Sequence, residues 1–168
     1  LTPFSPLYEV TREQSERRLV KLAHSDALTK LPNRAHLQSR FEYEQARHQR
    51  LNHPMSLVLL DLDYFKKVND RYGHEAGDRA LQHVARLLKQ LLRKTDLAAR
   101  LGGEEFCLLL PDTDGEQALL VAEKIRQQLA ATPLTFGDHA ITLTLSGGIA
   151  CFGEKEGMEL NALTRCAD

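Results

Sequence analysis

Leu97-Ala98-Ala99-Arg100-Leu101-Gly102-Gly103-Glu104-Glu105-Phe106-Cys107-Leu108-Leu109-Leu110 reads as two apolar runs hinged on a pair of glycines. Adjacent glycines supply the backbone angles that a tight turn demands, so the stretch predicts strands over Leu97–Leu101 and Glu105–Leu110 joined as a β-hairpin. A hairpin forces an antiparallel pair. Set in the middle of a chain whose other long segments are helical, it predicts an α+β fold: a central, mostly antiparallel sheet flanked by helices, rather than a doubly wound parallel sheet.

Upstream of the hairpin, Arg79 to Leu92 carries Leu81, Val84, Leu88 and Leu91 at helical spacing. Before it lie a loop, a short helix and the glycines Gly73 and Gly77. Leu57 to Leu62 is a short apolar run, read as a buried strand that ends in Asp61-Leu62-Asp63. The turn Leu31-Pro32-Asn33 introduces a helix over Arg34 to Gln49. Val10 to His24 reads as a charged helix with a thin apolar side at Leu19, Val20, Leu22 and Ala23, and Leu1 to Pro6 as a linker. That stripe suits a partner helix or signalling connection and a solvated lead-in equally well. Downstream, Thr113-x-x-Glu116 resembles a capping box ahead of a helix with Ala118, Val121, Ala122, Ile125 and Leu129 on its apolar face. Ile141 to Ser146 alternates apolar and hydroxyl residues, the pattern of a strand with one buried face.

The composition excludes several classes. The chain has 168 residues, 42% hydrophobic and 27% charged, which fits one globular domain with a short extension. The net charge of −1 gives no overall basic surface for a nucleic acid polymer or a membrane, although a nucleotide pocket needs only local positive charge. Cys107, Cys151 and Cys166 lack metal-like spacing, and their odd number argues against a disulfide framework; reduced thiols suit the cytoplasm. No apolar run approaches the length of a membrane span, so no membrane contact is expected from this segment. The chain starts at Leu1 and stops within what reads as the start of a helix, Thr164 to Asp168, so it is read as a fragment, outside which any membrane or sensor region would lie.

Two acidic groups carry the chemistry. Asp61 and Asp63 close a strand and Glu104 and Glu105 sit at the hairpin turn. Alternate strand residues share a face, so Asp61 and Asp63 can lie on one side while Leu62 offers its backbone. Carboxylates that converge repel unless a cation lies between them. Mg2+ takes hard oxygen ligands, commonly one or two carboxylates plus substrate phosphates, and a pair of such ions can hold both the attacking and the leaving oxygen. Against this stands the plain alternative of solvated strand-end acids and a glycine turn with no further role.

Gly102-Gly103-Glu104-Glu105-Phe106 resembles the signature of the GGDEF family of diguanylate cyclases in its Glu-Glu form. Further segments match in family order: Asp26-Ala27-Leu28-Thr29-Lys30-Leu31-Pro32-Asn33-Arg34, Asp61-Leu62-Asp63-Tyr64-Phe65-Lys66-Lys67-Val68-Asn69-Asp70, Gly73-His74-x-x-Gly77-Asp78, and Arg93-Lys94-Thr95-Asp96. The resemblance implies a palm-like, nucleotidyl-cyclase domain over residues 26–168, incomplete at its C-terminal end, behind a linker and signalling helix over residues 1–25. It implies condensation of two GTP into cyclic di-GMP with release of pyrophosphate by a catalytic homodimer, with Mg2+, two ions per site, or Mn2+ in its place.

By the same resemblance, Asp61, Glu104, Glu105 and the backbone of Leu62 are metal ligands, and Glu104 is also the base for the ribose 3′ hydroxyl. Tyr64, Phe65, Lys66, Asn69, His74, Asp78, Gly102 and Gly103 bind substrate, with Asn69 and Asp78 reading guanine and the backbone around Tyr64 to Lys66 cradling phosphate. Arg93 and Asp96 match the product-binding motif of feedback inhibition. Bland readings stand beside these: Asp63 holding its loop by local hydrogen bonds, Phe65 and Phe106 in the core, His74 in a structural hydrogen bond, Lys66 and Lys67 as solvated charges, and Arg93–Asp96 as a surface ion pair. Lys30 stands where the family often has glycine, and Leu101 where an aromatic is common. The family's last helix, with a lysine and an arginine for the triphosphate, is not reached by the sequence. A cyclic di-GMP receptor, another palm-like nucleotidyl transferase and a purely dimerising module remain the alternatives.

Overall fold

The computed structural model describes residue 2, residues 5–152 and residues 158–163, without the side chains of residues 19–22 and 158–163. In chain order the elements are α1 (Pro6–His24), α2 (Arg34–Leu51), β1 (Met55–Leu62), α3 (Phe65–Tyr72), α4 (His74–Leu91), β2 (Leu97–Gly102), β3 (Glu105–Pro111), α5 (Gly115–Ala131), β4 (Leu134–Phe136), β5 (His139–Ile141), β6 (Leu145–Phe152) and β7 (Met158–Leu163). The main sheet runs β2-β3-β1-β6-β7, and every neighbouring pair in it is antiparallel. β4 and β5 form a separate two-stranded ribbon. The expected mostly antiparallel α+β architecture is the one found.

β1 lies at the centre of the sheet and shows how the faces divide. Val58, Leu60 and Leu62 are buried with Phe106, Leu108 and Leu110 of β3 against Leu81, Val84 and Leu88 of α4 and Ala122, Ile125 and Leu129 of α5. Each large side chain so buried contributes roughly 1.5–3 kcal/mol relative to exposure. The opposite face is covered only in part. There α2 packs Leu37 and Phe41 over Met55, Leu57, Leu97 and Leu109, with the Phe41 and Phe152 rings 5.8 Å apart. The cover ends before Leu59, which is 54% exposed. The bare end of the face holds the acidic residues.

Asn33 joins the first two helices. Its Oδ1 accepts the N–H of His36 as the N-cap of α2, while its Nδ2 donates to Ala23 O at 2.8 Å and its backbone N–H to His24 O at 3.0 Å. One residue thus starts α2 and ties off α1.

Several expectations are corrected. α1 begins at Pro6, capped by Ser5, so the expected linker over Leu1 to Pro6 gives way to helix at its end. α4 begins at His74 rather than Arg79, since Gly73, at φ 93°, separates it from α3 and Gly77 lies inside it. The capping box is built one residue later than expected: Asp114 accepts from Gln117 N–H, and the Gln117 side chain accepts from Asp114 N–H. Thr113 is instead buried, and its hydroxyl donates to Pro111 O. The alternation over Ile141 to Ser146 is real in burial, with Ile141, Leu143 and Leu145 inside, but it spans the end of β5, an irregular link and the start of β6. The thin stripe at Leu19, Val20 and Leu22, the thiol of Cys166 and the segment Thr164 to Asp168 lie outside the described residues and side chains.

Candidate active site

Asp61 and Glu105 are register partners across β1 and β3, both exposed on the bare face of the sheet. They line an open cavity of about 400 Å³ with Arg34, Leu59, Leu101 and Gly147. Glu104, half-buried in the turn, meets β1 through its backbone: its carbonyl accepts the N–H of Leu62 at 3.1 Å. Among the described residues no group of three or more His, Cys, Asp or Glu side chains is placed to hold a metal ion by itself. Two facing carboxylates beside a backbone segment nevertheless suit an ion that takes few protein ligands and completes its shell with water and phosphate oxygens, as Mg2+ does.

The turn needs its glycines for conformation, with φ of 142° at Gly102 and 50° at Gly103. A Cβ on either would meet nothing within 4 Å, so the space above the turn is open to a ligand. Beneath it lies Arg100. Its Nε and Nη2 donate to Gly103 O at 3.0 and 2.9 Å, while its Nη1 donates to both carboxylate oxygens of Asp26 at 3.1 and 3.2 Å. Burial alone would raise the pKa of Asp26, but hydrogen bonds from Thr29 and the Arg100 guanidinium outweigh it and hold the carboxyl below its usual range.

At the other lip, Asp63 is fixed three times over. Its N–H donates to Thr144 O at 2.9 Å, and its carboxylate accepts the hydroxyls of Thr144 and Ser146 at 2.8 and 2.7 Å. Asp63 thus has a holding role, but through partners some eighty residues away in sequence rather than through the local hydrogen bonds expected of it. Tyr64 follows in the left-handed region, φ 57°, at the N-cap of α3, where no side chain caps the helix. The amides opening α3 at Phe65 and Lys66 therefore form an uncapped turn of the kind that binds anions. Tyr64 is 63% exposed with Lys67 Nζ 4.8 Å from its ring centroid, Lys66 is exposed, and Phe65 is half-buried against the main core. Phe106 is fully buried.

Asn69 of α3 lies against α4 one residue before Asp78, its side chain directly over Gly77. Asp78 and His74 are both exposed on the first turns of α4. Arg93 and Asp96 lie apart from this group, between α4 and β2. They form more than a surface pair: the Asp96 side chain is 3% exposed and takes the Arg93 backbone N–H at 2.9 Å as well as its guanidinium. Arg93 Nη2 further donates to Pro111 O and Thr113 Oγ1, each at 3.0 Å.

The sequence profile described as "Diguanylate cyclase, GGDEF domain" matches residues 23–168. The chain belongs to the GGDEF family. It is 44% identical over 137 residues to diguanylate cyclase DgcP of Pseudomonas aeruginosa, covering 82% of this chain and 20% of that one. It is 37% identical over 151 residues to response regulator PleD of Caulobacter vibrioides, covering 89% and 33%. This GGDEF chain thus spans a third or less of the length of these curated relatives. Among solved structures it is similar to diguanylate cyclase SiaD of Pseudomonas aeruginosa, crystallised with its activator SiaC, at TM-score 0.76 and 38% identity over 89% of this chain and 58% of that one. It is also similar to the coiled coil and GGDEF domain of DgcB of Caulobacter crescentus, in complex with c-di-GMP, at TM-score 0.80 and 27% identity over 88% and 80%.

Three site residues escaped sequence reasoning: Arg100, Thr144 and Ser146. An arginine two residues before a glycine pair reads as ordinary strand sequence, and its carbonyl and carboxylate partners become visible only in space. The hydroxyls of Thr144 and Ser146 were visible as an alternation but counted only as the polar side of a strand. Among the described residues no helix is long and apolar enough to cross a membrane.

Proposed function

We propose that this GGDEF domain condenses two GTP into cyclic di-GMP. The observation that carries the reading is the pairing of Asp61 with Glu105 beneath an open glycine turn, next to an uncapped helix start. The amides opening α3, with Lys66, cradle the triphosphate. Asn69 and Asp78 offer an amide and a carboxylate to the guanine edge, and a base lacking guanine's donors would leave them unpaired. His74 flanks that pocket. Gly102 and Gly103 let the nucleotide approach the turn.

Asp61, Glu104, Glu105 and the Leu62 carbonyl would hold Mg2+, or Mn2+ in its place. The bound ions would supply Lewis-acid neutralisation of phosphate charge. Glu104 accepts the proton of the ribose 3′ hydroxyl of one GTP as that oxygen bonds to the α-phosphorus of the other, and pyrophosphate leaves. A second, symmetric attack closes the ring. Because the product is two-fold symmetric, two domains meet face to face as a C2 dimer, each presenting one GTP. The protein's part is orientation and charge placement.

Arg93 and Asp96 form a product-binding site for feedback inhibition. Residues 26–168 are the catalytic unit, residues 1–25 bring a signal to it, and the setting is the cytoplasm of a bacterium. The deciding experiment is incubation with GTP and Mg2+ followed by chromatographic separation of products, with Glu104→Gln in parallel. Cyclic di-GMP from the unaltered chain and not from the variant supports the reading. Binding of cyclic di-GMP without turnover at high protein concentration replaces it with a receptor.

A further inference from the structure

We infer that Arg100 is the positioning residue of the acidic turn, holding the Gly103 carbonyl from an anchor on Asp26 and so fixing where Glu104 and Glu105 stand. Its kinetic consequences rest on the cyclase reading above; its geometry does not.

Consecutive glycines give the turn the greatest backbone freedom that a chain can have. The residue that follows them is asked to place a carboxylate to within a fraction of an ångström. Hydrogen bonds on both sides of the Glu104 Cα remove that freedom. The preceding peptide is held at Gly103 O by two N–H groups of Arg100, at 3.0 and 2.9 Å. The following peptide is held at Glu104 O by Leu62 N–H at 3.1 Å. With both peptide planes pinned, the φ and ψ of Glu104 are set. Without Arg100 the peptide before Glu104 loses both of its side-chain bonds, and the bond from Leu62 to the peptide after it remains.

The clamp is itself immobile. Asp26 takes Thr29 N–H and the Thr29 hydroxyl at 2.8 and 2.7 Å, and its own N–H donates to Leu31 O at 2.7 Å. The Arg100 backbone N–H donates to Pro32 O at 3.0 Å, so both ends of the side chain are registered to the same loop. The Arg100 and Asp26 side chains are 14% and 19% exposed, which limits competition from water. Only a planar fork spans a carbonyl on one edge and a carboxylate on the other; an ammonium group serves one partner at a time.

The test compares the unaltered chain with Arg100→Lys, Arg100→Ala and Asp26→Asn by two independent readouts. The first is amide hydrogen exchange at Leu62, whose N–H is bonded to the turn, measured without nucleotide. The second is the Mg2+ dependence of cyclic di-GMP formation, separated into half-saturating Mg2+, kcat and KM for GTP. In the folded variants, Leu62 exchange rises about tenfold or more. kcat falls about tenfold to a hundredfold and half-saturating Mg2+ rises, while KM for GTP, set from α3 and α4, stays within about twofold. Asp26→Asn should reproduce most of the Arg100→Ala effect, and Arg100→Lys should not restore the turn. Leu62 exchange unchanged in the folded variants overturns the inference, as does a loss of stability with half-saturating Mg2+ and kcat unaltered. If the unaltered chain forms no product, the cyclase reading falls, and the exchange comparison still decides the clamp.

Discussion

Asn69 Oδ1 occupies the space that a side chain at Gly77 would need: a Cβ added there would lie 1.9 Å from it. Glycine at this helical position is therefore a condition for the Asn69 side chain to lie where it does. Gly77→Ala should force that side chain aside while improving helix propensity by up to about 1 kcal/mol. Stability and substrate recognition then separate. The melting temperature should change little or rise, while KM for GTP rises about tenfold, as loss of a hydrogen bond in a specificity site does.

Lys30 has a φ of 62°, in the left-handed region where a side chain costs about 1–2 kcal/mol. Lys30→Gly removes this strain and adds back part of it as unfolded-state entropy. The net effect should be a gain of about 0.5–1 kcal/mol in urea unfolding, with kinetics unaltered.

The sequence reading of Lys30 as a place for glycine came from resemblance, and the backbone supplies its physical reason. Other features were legible directly. The hairpin, β1 and the antiparallel sheet follow from Gly102-Gly103 and from apolar runs too short for helices. β6 was not legible as an eight-residue strand, because Gly147 and Gly148 break its pattern and its packing beside β1 is a tertiary fact. Burial at Ile141, Leu143 and Leu145 was legible from alternation, but the strand break between them was not. In the site, the order of acids along the chain was plain. That Asp61 sits opposite Glu105 depends on strand register, which no single segment encodes.

Asp63 holds the end of β1 to the start of β6 through the Thr144 and Ser146 hydroxyls, and its neighbours Asp61 and Leu62 inherit that placement. Hydrogen bonds to a charged group contribute about 1.5–3 kcal/mol each. Asp63→Asn, which turns one acceptor into a donor, should lower the melting temperature and raise half-saturating Mg2+ severalfold. Thr144→Val combined with Ser146→Ala should have the same direction of effect.

Arg93 serves the fold as well as any ligand. Arg93→Ala removes bonds to Asp96, Pro111 and Thr113 and leaves a nearly buried carboxylate without its cation. Stability should fall by about 2–3 kcal/mol, and inhibition by cyclic di-GMP should weaken more than tenfold, a change of over about 1.4 kcal/mol. Arg93→Lys should restore part of the stability but not the inhibition, since a single ammonium cannot present a planar fork. Calorimetry and inhibition curves on the two variants separate the two roles.

Burial pushes the Cys107 thiol up from 9.0 to about 11, against a smaller opposing pull from Arg34. A raised acid pKa means that the unfolded chain releases its proton first, so stability must fall as pH climbs from the unfolded value toward the folded one. At about pH 10.5 this group alone should remove about 2 kcal/mol relative to neutral pH. Urea unfolding of the unaltered chain should show that extra alkaline loss relative to Cys107→Ala, and the native thiol should resist alkylation at neutral pH.

Asn33, by starting α2 and closing α1 at Ala23 and His24, ties the end of the leading helix to the first helix of the domain. A roll or tilt of α1 would therefore reach the body that carries the acidic face through this one residue. In the paired arrangement proposed above, an input signal would act by turning one domain relative to the other, with the angle of α1 as the control variable and Asn33 as its gear.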